Sequence, residues 1–211
     1  MKPILSFGLK LATLLKRALL ALCLLLMTLW LGLALWVQQP LAWPWTQVLM
    51  VAWLGLAMGT VFTLFKKFRP WRKPVLWAYL TVFALGLGWF FSLPAKQDRA
   101  WAPEVAKQLH YERNGSTITL HNVRNFDWHS ETDYTARWET RRYDLNQITG
   151  INVITSYWMG PQIAHTLVSF DFKDQAPLVF SIEIRKEKTE QFSAVGGFFR
   201  QFELSLIAAD E

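Results

Sequence analysis

The sequence predicts an N-terminal three-helix transmembrane anchor followed by a mainly-β (α+β) domain. Three observations carry this. All sixteen Asp and Glu residues of the 211-residue chain lie after residue 96. The segment before Pro94 holds instead three apolar runs without a formal charge. From about residue 108 onward the apolar residues change to a period of two, the spacing of side chains along one face of a strand.

The runs are Ala18–Val37, Val48–Phe65 and Val75–Leu93, of 20, 18 and 19 residues. About 20 helical residues cross the hydrocarbon core of a bilayer. A soluble helix would keep a polar face, and these runs have none. Lipid offers the backbone no hydrogen-bond partner, so each run is expected to be helical. The first run is longer than the core of a signal peptide and no small-residue cleavage site follows it, so it is read as a retained span. Residues 1–95 form the expected anchor and residues 96–211 the expected outer domain.

Orientation follows from the charges. Lys2, Lys10, Lys16 and Arg17 precede the first run, and five basic residues crowd the second connection, KKFRPWRKP at 66–74. The first connection, 38–46, has no charge. By the positive-inside rule the N-terminus and the second connection are cytoplasmic, and three spans leave residue 94 onward in the periplasm of an inner-membrane protein. Trp36, Trp43, Trp45, Trp71 and Trp89 lie near span ends, where indole rings favour the interface. The formal net charge of +6 is thus the sum of a basic anchor and a domain of net charge −3. The basic balance belongs to the membrane flanks, so nucleic acid is not an expected partner. No run carries an ionisable side chain, which argues against a transporter or proton relay. Gly55 and Gly59 form a G-x-x-x-G pair, expected to pack within the bundle. Cys23, the sole cysteine, is expected to be a small buried hydrophobe. The outer domain then has neither disulfide nor thiolate.

Residues 94–108 read as a juxtamembrane linker. Gln108–Glu112 and Ser116–Asn122 flank Asn114-Gly115, a hairpin signal. Asp133–Arg142 alternates loosely around Tyr134, Ala136 and Trp138. Ile148–Ser156 is rich in β-branched residues. Ile163–Phe172 sets Ala164, Thr166, Val168 and Phe170 against His165, Leu167, Ser169 and Asp171. Leu178–Arg185 sets Leu178, Phe180, Ile182 and Ile184 against Val179, Ser181, Glu183 and Arg185. Gly196-Gly197 reads as a turn, and Phe202–Ala208 as a last strand. That strand stands so close to Glu211 that we expect either a domain with further elements or a naturally short form.

The four histidines, His110, His121, His129 and His165, show no zinc-ligand spacing, so neither a metal nor a cofactor is expected. His165 stands out. A hairpin folded about Asp174 places Glu183 opposite it within a residue of register, and a carboxylate beside an imidazole orients it as a general base requires. The plainer alternative is a sheet histidine, with Glu183 in a salt bridge to Arg185 or a neighbour. Arg124, Arg137 and Arg141 lie among aromatics and acids, a composition suited to phospholipid headgroups or to an ion-pair network.

The blocks NVRNFDW at 122–128, RWETRRYDL at 137–145, WMGPQIAHTLVSFDF at 158–172, SIEIRKE at 181–187 and FRQFELSLIAADE at 199–211 together resemble the Lnb N-terminal periplasmic domain family, over most of residues 99–211. The resemblance implies part of a permuted papain-like fold. It also implies an envelope acyltransferase that moves an acyl chain from phospholipid to a lipoprotein amine. Phospholipids and lipoproteins are the partners it suggests. His165 takes the place of the family's histidine, and Glu183 is the expected third member. The family's nucleophilic cysteine has no counterpart within residues 1–211. The resemblance therefore predicts an enzyme where the protein continues past residue 211. The alternative is a non-enzymatic envelope binding or regulatory module.

Overall fold

A computed structural model describes residues 2–130, 133–157 and 160–210, with the backbone alone for residues 2–10 and Lys66. The side chains of Lys2, Lys10 and Lys66, and residues Trp158, Met159 and Glu211, all used in the sequence reading, lie outside the described residues. The chain divides into two compact units, 1–95 with 194–201, and 96–193 with 202–210.

The first unit holds three long apolar helices, α1 (Lys2–Gln38), α2 (Trp45–Phe62) and α3 (Arg72–Ser92). All three are long and apolar enough to cross a membrane, over Leu11–Gln38, Trp45–Phe62 and Lys67–Ser92. Only 22%, 17% and 11% of their most apolar windows is buried within the protein. So much bare Leu, Val, Phe and Trp would drive aggregation in water. It suits a helix whose solvent is lipid.

The bundle core is Leu24, Leu31, Leu35, Trp53, Ala57 and Tyr79. Its few polar atoms are tied off inside. The Tyr79 hydroxyl reaches the Leu24 carbonyl at 2.9 Å and meets Thr28 Oγ1 at 2.9 Å. Trp53 Nε1 donates to the Thr28 carbonyl at 3.0 Å, and its indole stacks on the Tyr79 ring at 4.6 Å. Arg72 donates to the carbonyls of Thr63 and Leu64, capping the negative end of α2.

Three expectations change here. Gly55 and Gly59 face outward, and a Cβ on either would meet nothing within 4 Å. The close-approach glycine is Gly86, where a Cβ would come 2.6 Å from Leu31 Cδ1. A heptad-like G-x-x-x-G spacing marks one helix stripe but not which neighbour it faces. Cys23 is exposed on α1 rather than buried. Gly196-Gly197 is no free turn but lies inside a short helix, α4 (Ala194–Phe198). That helix ends with Gln201 N–H on the Gly196 carbonyl and Arg200 N–H on the Gly197 carbonyl, with Arg200 at φ 59°. This is a Schellman closure with arginine where glycine is usual. The Arg200 side chain donates to the Phe90 and Leu93 carbonyls at 3.0 Å each, and Phe199 is buried with Ala34 and Phe90. Those contacts hold a conformation that a bulky residue disfavours.

The second unit is a mixed sheet. Its strands are β1 (His110–Asn114), β2 (Thr117–Arg124), β3 (Asp127–Trp128), β4 (Tyr134–Thr135), β5 (Trp138–Asp144), β6 (Ile148–Tyr157), β7 (Ala164–Phe172), β8 (Leu178–Arg185) and β9 (Glu203–Ala209). The order is β1-β2-β9-β8-β7-β6, with β5 also on β2 and β3-β4 apart as a small ribbon. Neighbours are antiparallel except for one parallel bridge, Arg124 to Ala209. The core lies where β2 and β5 fold over β7, β8 and β9: Leu120, Val123, Tyr143, Phe172, Leu178 and Ala208.

The first hairpin turns one residue later than its Asn-Gly signal predicts. Asn114 pairs with Thr117, leaving Gly115-Ser116 as the loop. Gly115 takes φ 62°, at the first loop position that a Gly-X turn requires. The expected strand over 133–142 is broken at 136–137 into β4 and β5, because the two halves pair with different strands.

Candidate functional site

Register decides what surrounds His165. Leu167 pairs with Ser181 and Phe170 with Leu178. The ladder ends at Leu167–Ser181, so His165 and Glu183 lie two residues beyond its last pair, with His165 near enough to act electrostatically on the Glu183 carboxyl. On the other side of β8, Glu183 pairs with Ser205, and on the other side of β7, His165 pairs with Ser156. Ser156 thus stands beside His165, and Ser205 beside Glu183.

Glu183 is the hub of a polar cluster. Arg124 grips it with two hydrogen bonds, Nη1 to Oε2 at 2.9 Å and Nη2 to Oε1 at 2.6 Å, and Ser181 Oγ donates to Oε1 at 2.9 Å. Burial pushes the Glu183 carboxyl up. The Arg124 guanidinium, the Ser181 hydroxyl and the nearby His165 outweigh that and hold it below the usual carboxylate range. The site therefore carries a fixed negative charge beside His165. Ser205 Oγ, buried, has no hydrogen-bond partner among the described residues.

A bulge delivers Arg124 to this cluster. Plain alternation would put Leu120, Asn122 and Arg124 on one face. The β2–β5 register slips between His121 and Val123, and Asn122 takes φ 66° while its amide donates to the Gln108 carbonyl at 2.8 Å. The extra residue reverses the phase of the strand. Leu120 and Val123, an odd number apart, both enter the core, and Arg124 points to Glu183.

The segment 97–108 covers this face. Arg185, buried, donates to the carbonyls of Val105 at 2.9 Å and Ala106 at 2.7 Å, and its guanidinium lies 4.3 Å over the Trp101 ring. Arg185 is thus not the partner of Glu183. Burial opposes the charge of Glu104, but its backbone hydrogen bond, Lys186 and Tyr134 hold its carboxyl below the usual range.

The other two arginines lie in a separate cluster. Arg137 and Arg141 share Glu139, at 3.1 and 2.7 Å, and Arg141 also grips Asp210. Hydrogen bonds from Arg141 and Asn125 hold the Glu139 carboxyl down, and Arg141 does the same for Asp210. The Arg137 side chain is 63% exposed, against 15% for Arg124 and 17% for Arg141. Of the three expected headgroup ligands, Arg137 alone keeps its guanidinium largely toward solvent.

Sequence reasoning named His165, Glu183 and Arg124 but missed Ser181, Ser205 and Glu104. The alternation of β8 already set Ser181 beside Glu183. Ser205 required the β8–β9 register, and Glu104 sits on a covering turn with no periodic signal. Among the described residues no group of three His, Cys, Asp or Glu side chains converges as a metal site would.

With the geometry in place, comparison with known proteins is informative. Residues 134–211 match the family model described as the Lnb N-terminal periplasmic domain. The matched segment contains Arg137, Arg141, His165 and Glu183, while Arg124 and the NVRNFDW block precede it. No curated protein and no solved structure matches the chain.

Proposed function

From the match over residues 134–211, we propose a membrane-anchored periplasmic protein of the acyltransferase type. It takes an acyl chain from phospholipid and delivers it to a lipoprotein amine. The three apolar helices are the anchor in the inner membrane, with the N-terminus cytoplasmic and the sheet domain periplasmic. Tethering suits the chemistry, because a fixed anchor raises the effective concentration of substrates that are themselves held in the membrane.

In this reading His165 is the general base and Glu183 orients it. The sheet belongs to a permuted papain-like arrangement. Cys23, mid-helix among apolar residues, is not the nucleophile in this reading. Arg137 is the leading candidate for phosphate contact. The observation that carries the reading is an ionised glutamate on β8 with a histidine of β7 near it, both inside the matched segment.

The test is lipoprotein N-acylation in cells whose only copy carries His165→Ala. Loss of the N-acylated product, with protein level unchanged, is the expected result. Full N-acylation in the variant removes His165 from the mechanism.

One observation favours a second reading. Both Glu183 oxygens are already engaged, by Arg124 and Ser181, as in a structural ion pair. A non-enzymatic envelope module that binds a partner would need no more than that. Retained function of the anchored protein with both His165 and Glu183 neutralised would select it.

A further inference from the structure

Between the outer faces of the three helices lies an apolar cavity of about 590 Å³. We propose that it is a binding site for one acyl chain of a membrane phospholipid. Its walls are two matching stripes. On α2 the i, i+3, i+4, i+7 series begins at Leu49, and on α3 the same series begins at Val82. Each stripe lies on one helix face and runs about 10 Å along the axis. Leu31 and Leu35 of α1 form the floor, and Gly86 lets α3 approach close enough for Leu31 to fill it. The volume falls within the range of roughly 300–1,000 Å³ typical of small-molecule sites.

The chemistry of the lining selects hydrocarbon. Among the lining side chains only the indoles of Trp53 and Trp89 carry a polar atom. Trp53 Nε1 is bonded to the Thr28 carbonyl. At one end, the Leu41 N–H and carbonyl are both taken by Thr46 Oγ1, at 3.1 and 2.6 Å. Water would find few partners inside, so the lining favours hydrocarbon. The occupant follows from continuity. Leu49, Val82 and Leu85 line the cavity and are also exposed on the lipid-facing surface of their helices. A groove open to lipid is filled by the solvent around it, and that solvent is acyl chain. Because hydrocarbon gains nothing hydrophobically on leaving hydrocarbon, retention depends on shape. The indole of Trp53, locked by its hydrogen bond and by stacking on Tyr79, supplies a rigid wall.

Pro40 and Leu41 of the α1–α2 connection line one end of the cavity, the periplasmic end under the proposed topology. That the bound chain is the donor in acyl transfer rests on the proposed function. That the cavity holds a phospholipid chain does not.

The experiment reconstitutes the full chain in nanodiscs containing a phospholipid with a photoactivatable group on one acyl chain, and maps the adducts by peptide sequencing. Adducts concentrated on the facing stripes of α2 and α3 are expected. Ala52→Trp, which fills the groove from a lining position, is expected to lower them severalfold. Ala84→Trp, exposed on α3 and away from the groove, is expected to leave them unchanged. Adducts spread evenly around all three helices mean annular lipid only and overturn the proposal. So does labelling by a photoactivatable lipopeptide but not by phospholipid. Concentrated adducts, together with full N-acylation in cells whose only copy carries His165→Ala, sustain the site and count against the proposed function instead.

Discussion

At the scale of single residues, the Arg124–Glu183 pair carries most of the consequence. Both side chains are largely withdrawn from water and joined by two short hydrogen bonds. Removing one partner of such a pair leaves the other charge unpaired, which typically costs about 3–5 kcal/mol when fully buried. Here, with partial exposure, Arg124→Gln is expected to destabilise the sheet domain by roughly 1–3 kcal/mol. The pH dependence has a definite sign. A carboxyl held below its ordinary value contributes stability that is complete above the unfolded value, about 4.3 for Glu. That stability is lost as pH falls through the folded value. Melting temperature should therefore fall in acid, and Glu183→Gln should flatten the part of that slope owed to this pair. Circular dichroism melts between pH 3 and 7 measure both. An unchanged slope in Glu183→Gln would show that the pair does not govern acid stability.

At the scale of elements, the β2 bulge makes the site possible. It is one residue, Asn122, in a left-handed conformation that asparagine tolerates better than branched or bulky residues do. Asn122→Val should cost roughly 1–3 kcal/mol through backbone strain and should loosen Arg124 from Glu183. Asn122→Gly should be milder, since glycine adopts the conformation freely and only the amide bond to Gln108 is lost. Chemical denaturation of the two variants ranks them. Equal stability of valine and glycine variants would mean the bulge is not held by this residue. The helices show the same dependence on local detail. Period alone nominated Gly55 and Gly59 as contact glycines, whereas packing against Leu31 uses Gly86.

At the scale of the whole molecule, the charge distribution makes the strongest prediction. A phosphatase reporter fused after residue 100 should be active, because alkaline phosphatase folds only on the outer side of the inner membrane. A β-galactosidase fusion at the same point should be silent. The reverse pattern would overturn the topology. It would also move the sheet domain away from both proposed substrates.

Much of this protein was legible without coordinates. Three charge-free runs predicted helices long and apolar enough to cross a membrane, and the structure has three such helices. The strands β7 and β8 announced themselves by alternation within a residue or two, since a half-buried sheet demands it, and β6 by its β-branched residues. Hairpin arithmetic brought His165 and Glu183 to the same end of β7 and β8, two residues beyond the last pair of the ladder. Other features depended on contacts between distant segments. The bulge that turns Arg124 around, Ser205 reaching Glu183 from β9, and Glu104 covering the face are set by strand neighbours far apart in sequence. The apolar cavity arises from how three helices lean on one another, and Gly86 shows no sign of it until Leu31 is beside it. Composition and period report the environment of one segment. Which segments meet is decided by tertiary packing, and there the phase of a single strand was reversed by a single residue.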